Sequence, residues 1–377
     1  MSQFQAEDPR CYLKILLMDK SSQFIADILQ ISVNAPSGHN CQPWKFVVDG
    51  GVLRVWNLPE KDKTLFNYRQ KGSLIANGAL IENIVIVSSE MGYKADVELF
   101  PEAGNDEFVA KINFSKANNS YQYQYLFPSI LKRTTNRKPF KRAPLSSLHQ
   151  RQIIEFLEKD LELNESIFMV SEPEKLVRAA SLFSVGDRLL FDNFHLHKSL
   201  FSVVNWTKEE EVSRRHGLFV DTKELPPPVK IFFKYFVKNW NLLNFFSFLD
   251  LPYKMSRKRK SLYCHSSSIG LVTSSNDSPR AIVKAGRILQ RFWLKVSAMG
   301  LSFQPVSVGL LYLGQRTEVE RPDELSVNQY DYTKEAYRGV LDLFEVGPRH
   351  PSFSFRIGYA DPPTTSSLKK PPDITFL

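Results

Sequence analysis

The run Ala35-Pro36-Ser37-Gly38-His39-Asn40-Cys41-Gln42-Pro43-Trp44 sets several kinds of chemistry side by side. Ser37 brings a hydroxyl, Gly38 a backbone open to close approach, and Asn40 a carboxamide. Pro36 and Pro43 stiffen the loop, because each proline fixes its own φ. Such a set suits the rim of a planar heterocycle, whose carbonyls and ring nitrogens need fixed donors and acceptors. The same residues also make a well-capped turn.

A second constellation is Arg133-Thr134-Thr135-Asn136-Arg137. Two guanidinium groups flank two hydroxyls, which is good chemistry for one terminal phosphate, since arginine binds phosphate through paired, charge-assisted bonds. A surface basic loop would read the same way. Arg356 sits inside the apolar run SFSFRIGYA, where a cation ordinarily needs an anion to meet.

Other chemistry is poorly supported. His195-Leu196-His197 could place two imidazoles on one face of a strand, but no acidic or cysteine partner lies nearby. Cys11, Cys41 and Cys264 are scattered and odd in number, which argues against a disulfide framework or a zinc knuckle. There is no P-loop, no G-x-S-x-G elbow and no G-x-G-x-x-G.

The elements that position these residues read in order. Residues 22–34 have apolar residues at helical spacing and must stop at Ala35-Pro36. KFVVDGGVLRVW reads as a hairpin around Asp49-Gly50-Gly51. Residues 74–91 read as a long buried helix, and 174–204 as helical. SIGLVTS (268–274) is strand-like and precedes a helix from about Ser278. FSFRIGYA (353–360) is a late strand, followed by a Pro-rich extended tail.

An internal repeat joins the two halves. GALIENIVIVSSEMG (78–92) and GRILQRFWLKVSAMG (286–300) share register and a Met-Gly ending, with their glycines fourteen residues apart in both copies. Two copies of one unit in one chain imply a pseudo-dimer, since homodimers pack about a twofold axis. The expected units are 1–128 and 129–377, the second interrupted by an insertion at 205–260.

Within that insertion, Phe232, Tyr235, Phe236, Asn239, Leu242, Leu243, Phe246 and Leu249 follow helical spacing, with Lys230, Lys234 and Lys238 in line. Three readings stand: a lid, a helix on an anionic membrane surface, or a helix packed on the core. The 28 phenylalanines fit core or cavity lining. The net charge of +9 is compatible with phosphate ligands, anionic membranes or nucleic acid. The dense basic run Arg257-Lys258-Arg259-Lys260 reads as a solvated loop, and a nucleic-acid role would rest on residues 254–260 alone. The N-terminus has no apolar run of the signal-peptide kind, and no uncharged apolar stretch of about 18 residues suggests a membrane span. A reducing cytoplasm is the expected compartment.

The loop APSGHNCQPW resembles the APS-x-x-N-x-QPW loop of flavin-dependent nitroreductases. RTTNRKPF is similar to the arginine and serine cluster that opens a nitroreductase subunit. The repeated helix resembles that superfamily's central helix, and Arg356-Ile357-Gly358-Tyr359-Ala360 its C-terminal strand. The order of pieces resembles the Acg-type branch, in which two nitroreductase-like units are fused.

The resemblance implies an α+β fold with two interleaved repeats around a sheet, one FMN per chain, and a monomer. It implies a lid-like role for the insertion. It implies that Pro36, Ser37, Gly38 and Asn40 border the flavin, that Arg133, Thr134, Thr135, Arg137 and Arg356 hold its phosphate, and that Ser307 and Val308 lie near the flavin N5. Loop and phosphate cluster would each survive in one repeat only. The opening CYLKILLMDKSS lacks the arginine pair, and the stretch EPEKLVRAASLFSVGD lacks the loop. The implied activity is two-electron transfer from a reductant such as NAD(P)H to an electron-poor small molecule, with no side-chain acid or base required. The alternative is a protein that binds or sequesters FMN under a closed lid. No nucleic-acid partner is expected.

Overall fold

Helix α1, Lys20–Ser32, ends where proline forbids continuation, and the N–H groups of Val33, Asn34 and Ala35 still bond back to Leu29, Ile31 and Ser32. The computed structural model describes residues 20–246 and 250–377, so Cys11, residues 11–19 of the N-terminal opening, and Leu249 lie outside it. Strands β1 (Trp44–Asp49) and β2 (Val52–Asn57) form the expected hairpin. Gly50 and Gly51 both take positive φ, 53° and 79°, as a tight two-residue turn requires.

Helix α2 (Lys71–Glu90) leads to β3 (Tyr93–Leu99) and β4 (Phe108–Lys116). Residues 65–90 are long and apolar enough to cross a bilayer by composition, but the apolar stretch is almost wholly buried inside the protein. Its apolarity is that of a core helix.

After the short helix α3 (Phe127–Lys132) come α4 (Ser147–Glu158), α5 (Leu161–Ser166) and β5 (Ile167–Val170). The expected helix at 174–204 is two helices, α6 (Pro173–Asp192) and α7 (Phe194–Ser202). The chain breaks at Asn193, whose side-chain oxygen caps α7 at the Leu196 N–H, 3.0 Å away. His195 and His197 therefore lie on a helix rather than a strand. His197 is buried against the carbonyl of Val237 at 2.7 Å and the ring of Trp240, in a packing role.

The insertion holds β6 (Val204–Asn205), α8 (Lys208–Arg214), β7 (Leu218–Phe219), α9 (Pro227–Phe232), a π-helical turn at 233–237, α10 (Trp240–Phe245) and α11 (Leu251–Tyr263). The aromatic stretch is thus not one amphipathic helix. Asn239 interrupts it by capping α10 through Leu242 N–H. Val237 and Leu243 are buried on α7, while Tyr235 is 67% and Phe245 73% exposed. The basic run 257–260 is helical, where a solvated loop was expected.

Strand β8 (Ser268–Ser274) and helix α12 (Pro279–Ala298), capped by Ser278, precede β9 (Ser302–Pro305). Helices α13 (Val308–Val319) and α14 (Val327–Phe344), β10 (His350–Gly358) and β11 (Ile374–Phe376) complete the chain.

The strands form two principal sheets instead of the single sheet expected. One has the order β11-β1-β2-β4-β3, the other β5-β8-β10-β9. Leaving β11 aside, both run first-second-fourth-third with antiparallel neighbours, and the long helix joins the second strand to the third. Helices α2 and α12 supply an apolar core shared with both sheets. The Pro-rich tail is extended and ends as β11, parallel to β1.

Candidate functional site

The loop Ala35–Trp44 holds three non-glycine residues in the left-handed region: His39 (φ 47°), Asn40 (57°) and Gln42 (51°). Such backbone persists only where the surroundings hold it. Here the C-terminal arm and the insertion do so. Asn40 Nδ2 donates to the carbonyl of Leu368 at 2.8 Å, and Gln42 Nε2 to that of Arg215 at 2.8 Å. The Lys370 N–H donates to Gln42 Oε1, and Ser37 Oγ accepts from the Gln42 N–H. Asn40 Oδ1 remains buried without a hydrogen-bond partner. Gly38, His39 and Cys41 line a cleft of ≈ 380 Å³ with Asp62, His216 and Lys370, a size suited to a small ligand. Pro36 is half-buried beside them.

Electrostatics at the loop follow from burial. Burial lowers the proton affinity of the His39 imidazole; Asp62 opposes this, and Lys223 and Arg137 add to it. Burial and Asp62 push the Cys41 thiol up to about 12, so it is a neutral thiol near pH 7.

The arginine segment lies against this loop. Arg133 Nη2 donates to the carbonyl of Asn34 at 3.1 Å, and its guanidinium sits 4.5 Å from the Trp293 ring centre. Its Nε is buried without a partner. Asn136 pins the segment to β9, donating to Ser302 Oγ at 2.9 Å and to the carbonyl of Asp361 at 2.8 Å. Thr134 and Thr135 are half-buried. Arg137 Nη1 donates to the carbonyl of Thr222 at 3.2 Å. Burial lowers both arginines to about 10, and nearby Arg259 adds to the effect on Arg137.

Arg356 is 1% exposed. Its three nitrogens donate to Gln304 Oε1 (2.8 Å) and to the carbonyls of Leu262 (2.7 Å) and Lys138 (3.1 Å), and the group stacks 3.8 Å over Phe140. The anion expected of a strand arginine is here replaced by neutral oxygens of the protein. Ser307, at φ 44°, precedes α13 and donates to Asp187 Oδ2 at 3.1 Å. Val308 is half-buried between the two main cores.

Several site residues lacked a sequence signal. Asp187 on α6 accepts from Tyr263 Oη at 2.7 Å and meets Arg259 Nε at 3.4 Å. Lys223 follows the carbonyl that binds Arg137, and its ammonium is held well below its usual range by burial, Arg137 and Arg259. Lys369 Nζ donates to the carbonyl of Ala35 at 2.8 Å. An aspartate on the apolar face of an amphipathic helix was the one legible cue. Among the described residues no group of His, Cys, Asp and Glu could hold a metal.

The structure therefore brings the loop and the arginine segment together, under residues 215–224 of the insertion. The aromatic stretch 227–246 packs instead on α7, against Phe194 and His197. A mixed α+β fold with this loop and these buried arginines is consistent with a nitroreductase-like protein. The chain is 26% identical, over 75% of its length and 79% of the relative's, to the Mycobacterium tuberculosis protein named "Putative NAD(P)H nitroreductase acg". It is 23% identical to that organism's uncharacterized protein Rv3127 over 72% of this chain and 74% of the relative. A further M. tuberculosis protein, named "Putative NAD(P)H nitroreductase Rv3131", is 23% identical over 33% of this chain. No family model matches. These relatives bear out the resemblance to the nitroreductase superfamily and its Acg-type branch.

Proposed function

We propose that this protein is an oxidoreductase that binds one FMN and passes two electrons from NAD(P)H to an electron-poor small molecule. The observation that carries this reading is the excess of cations beside the loop, with Arg356 buried and Arg137, Lys223 and Arg259 half-buried. Arg137, Lys223, Arg259 and Arg356 act on one another or on shared neighbours, and Asp187 is the carboxylate set among them. Buried like charges are unstable without an anion, and a terminal phosphate supplies one. Two buried orphan atoms, Asn40 Oδ1 and Arg133 Nε, also fit a ligand bearing both donors and acceptors.

In this reading Arg137, with Thr134 and Thr135, holds the phosphate end, and Arg133 fastens the loop at Asn34. Pro36, Ser37, Gly38 and Asn40 border the ring, with Ser307 and Val308 at its far side. When bound, the flavin supplies reversible two-electron chemistry at N5. The chain's own part is to orient and to exclude water. The rigid loop fixes the ring edge, and the neutral Cys41 thiol contributes no charge. The duplicated strand order supports a pseudo-dimer acting as a monomer, with one complete site.

A second reading is favoured by the bonds from the insertion to the site. Gln42 bonds to Arg215, Gly217 N–H to the Asn40 carbonyl, and Arg137 to Thr222. A cover held this way slows access, so the protein would sequester FMN with little turnover. The test is the absorbance spectrum of the purified protein, with quantified released flavin, before and after NAD(P)H. One FMN per chain that bleaches supports the oxidoreductase. One FMN that resists NAD(P)H but yields to dithionite supports sequestration. FAD, two flavins or none would sink both.

A further inference from the structure

On the flavin reading above, we infer that the insertion itself grips the cofactor phosphate, through Lys223 and Arg259, so that the insertion is a binding element as well as a cover. Three observations lead there. First, the Thr222 carbonyl accepts from Arg137 Nη1 at 3.2 Å, which sets Lys223 beside the arginine segment. Second, the Lys223 ammonium makes no hydrogen bond or ion pair among the described residues, although burial, Arg137 and Arg259 disfavour its charge and only Asp187 opposes them. Third, Arg259 turns inward from α11 while its neighbours Arg257 and Lys258 are exposed. Arg259 meets Asp187 at 3.4 Å, longer than a good charge-assisted bond, and Asp187 is already engaged by Tyr263 and Ser307.

The remaining acid in this neighbourhood, Glu224, favours the Arg137 charge but forms no ion pair with the cluster. Glu224 accepts from the N–H of Thr364 at 2.7 Å and from its hydroxyl, which directs it toward the C-terminal arm. Arg356 is saturated by neutral acceptors. Arg137, Lys223 and Arg259 therefore form a three-cation group completed by a dianion. A nonspecific basic patch would be fully exposed; this one is half-buried, with the Arg259 side chain 27% exposed.

The experiment compares FMN with riboflavin, which lacks the phosphate, binding to the full-length apoprotein by flavin fluorescence quenching. Wild type is expected to favour FMN by a hundredfold or more. Lys223→Met and Arg259→Met should each shrink that preference roughly tenfold or more, with riboflavin affinity little changed. Lys258→Met, on the solvent side of the same helix, should leave it intact. Inorganic phosphate should weaken FMN binding in wild type more than in either variant. Lys223→Met should also raise the melting temperature of the apoprotein, because a half-buried cation crowded by Arg137 and Arg259 is removed, and Lys223→Arg should restore the preference for FMN. An unchanged FMN preference in both Met variants overturns the inference while leaving the flavin reading standing. A wild type with no preference for FMN over riboflavin overturns the flavin reading itself.

Discussion

A Cβ built on Gly78 would lie 2.9 Å from the Cα of Gly286, and one built on Gly286 would lie 3.0 Å from the Cα of Gly78. The two repeated glycines thus face each other where α2 crosses α12. The same Cβ on Gly78 would stand 2.1 Å from the Val283 carbonyl oxygen, and that on Gly286 2.3 Å from the Ile75 carbonyl oxygen. Backbone atoms cannot step aside as side chains do. Gly78→Ala would gain about 1 kcal/mol of helix propensity on an exposed helix. Here the helices must separate, and overpacking of this kind costs about 1–3 kcal/mol or more. Urea unfolding should show a net loss of stability for Gly78→Ala and a similar loss for Gly286→Ala. A neutral result would mean that the crossing is looser than described.

Four residues after Gly78 on the same helix, Glu82 is wholly buried between Arg287 Nε (2.8 Å), Arg291 Nε (2.9 Å) and Tyr121 Oη (2.8 Å). Burial opposes its charge, but Arg291 and Arg287 overcome this and hold the carboxyl at about 2. A carboxyl so depressed stabilises the fold above its ordinary value of 4.5, and that contribution is lost as pH falls from 4.5 toward 2. Glu82→Gln takes the carboxylate from half-buried Arg287 and leaves buried Arg291 only its longer pairs with Asp160 and Glu162, at 3.5 and 3.6 Å, and should cost about 3 kcal/mol. It should also flatten the acid limb of the stability curve. An acid limb of unchanged slope would place the acid sensitivity elsewhere.

Arg133 and Arg137 should behave differently, although the sequence presents them as a pair. Arg137 reaches the cation group, whereas Arg133 fastens Asn34 at the root of the loop. Replacing both with Ala is expected to weaken FMN binding about a hundredfold or more, because the charge-assisted bond of Arg137, worth about 1.5–3 kcal/mol, is lost and the loop is loosened as well. Singly, Arg137→Ala should reduce the preference for FMN over riboflavin. Arg133→Ala should weaken both flavins alike, because it loosens the loop. Titrating each flavin into the two folded single variants checks this, and identical behaviour of the two would contradict the division of roles.

Local signals were legible where one residue type dictates geometry. Pro36 ended α1, Gly50-Gly51 turned the hairpin, and Ser278-Pro279 opened α12. The repeated pattern marked two long helices, but not that they cross at their glycines. What failed were statements about which side of an element meets what. Arg259 and Lys258 are adjacent and chemically alike, yet the turn of α11 sends one inward and the other to solvent. The aromatic spacing of 232–246 was helical, but Asn239 prefers to cap, and the run divided there. Lys369 in a Pro-rich tail carried no periodic signal at all, because its burial is created by a chain folding back from far away. Arg356 was read as meeting an anion, but its acceptors are the Gln304 side chain and two backbone carbonyls that sequence does not display.

Lys369 yields the last prediction. Its ammonium donates to the Ala35 carbonyl, but burial, and then Arg133, lower it from 10.5 to about 7; Cys41 and Glu211 pull the other way. Between those two values the unfolded chain binds a proton that the folded chain lacks, so the stability of the apoprotein should rise with pH from about 7 upward. Below about 7 both states are protonated and the penalty is constant. Cys41 works in the opposite sense above 9, because its folded thiol holds its proton to about 12 while the unfolded thiol loses it. The clean window is therefore pH 7 to 9. Lys223 shifts in the same direction as Lys369, so one substitution removes part of the slope and not all of it. Lys369→Met should raise apoprotein stability at pH 7 and give a shallower rise through that window, measured by urea unfolding at several pH values. An unchanged slope would mean that the Lys369 ammonium keeps its charge in the folded protein through this window.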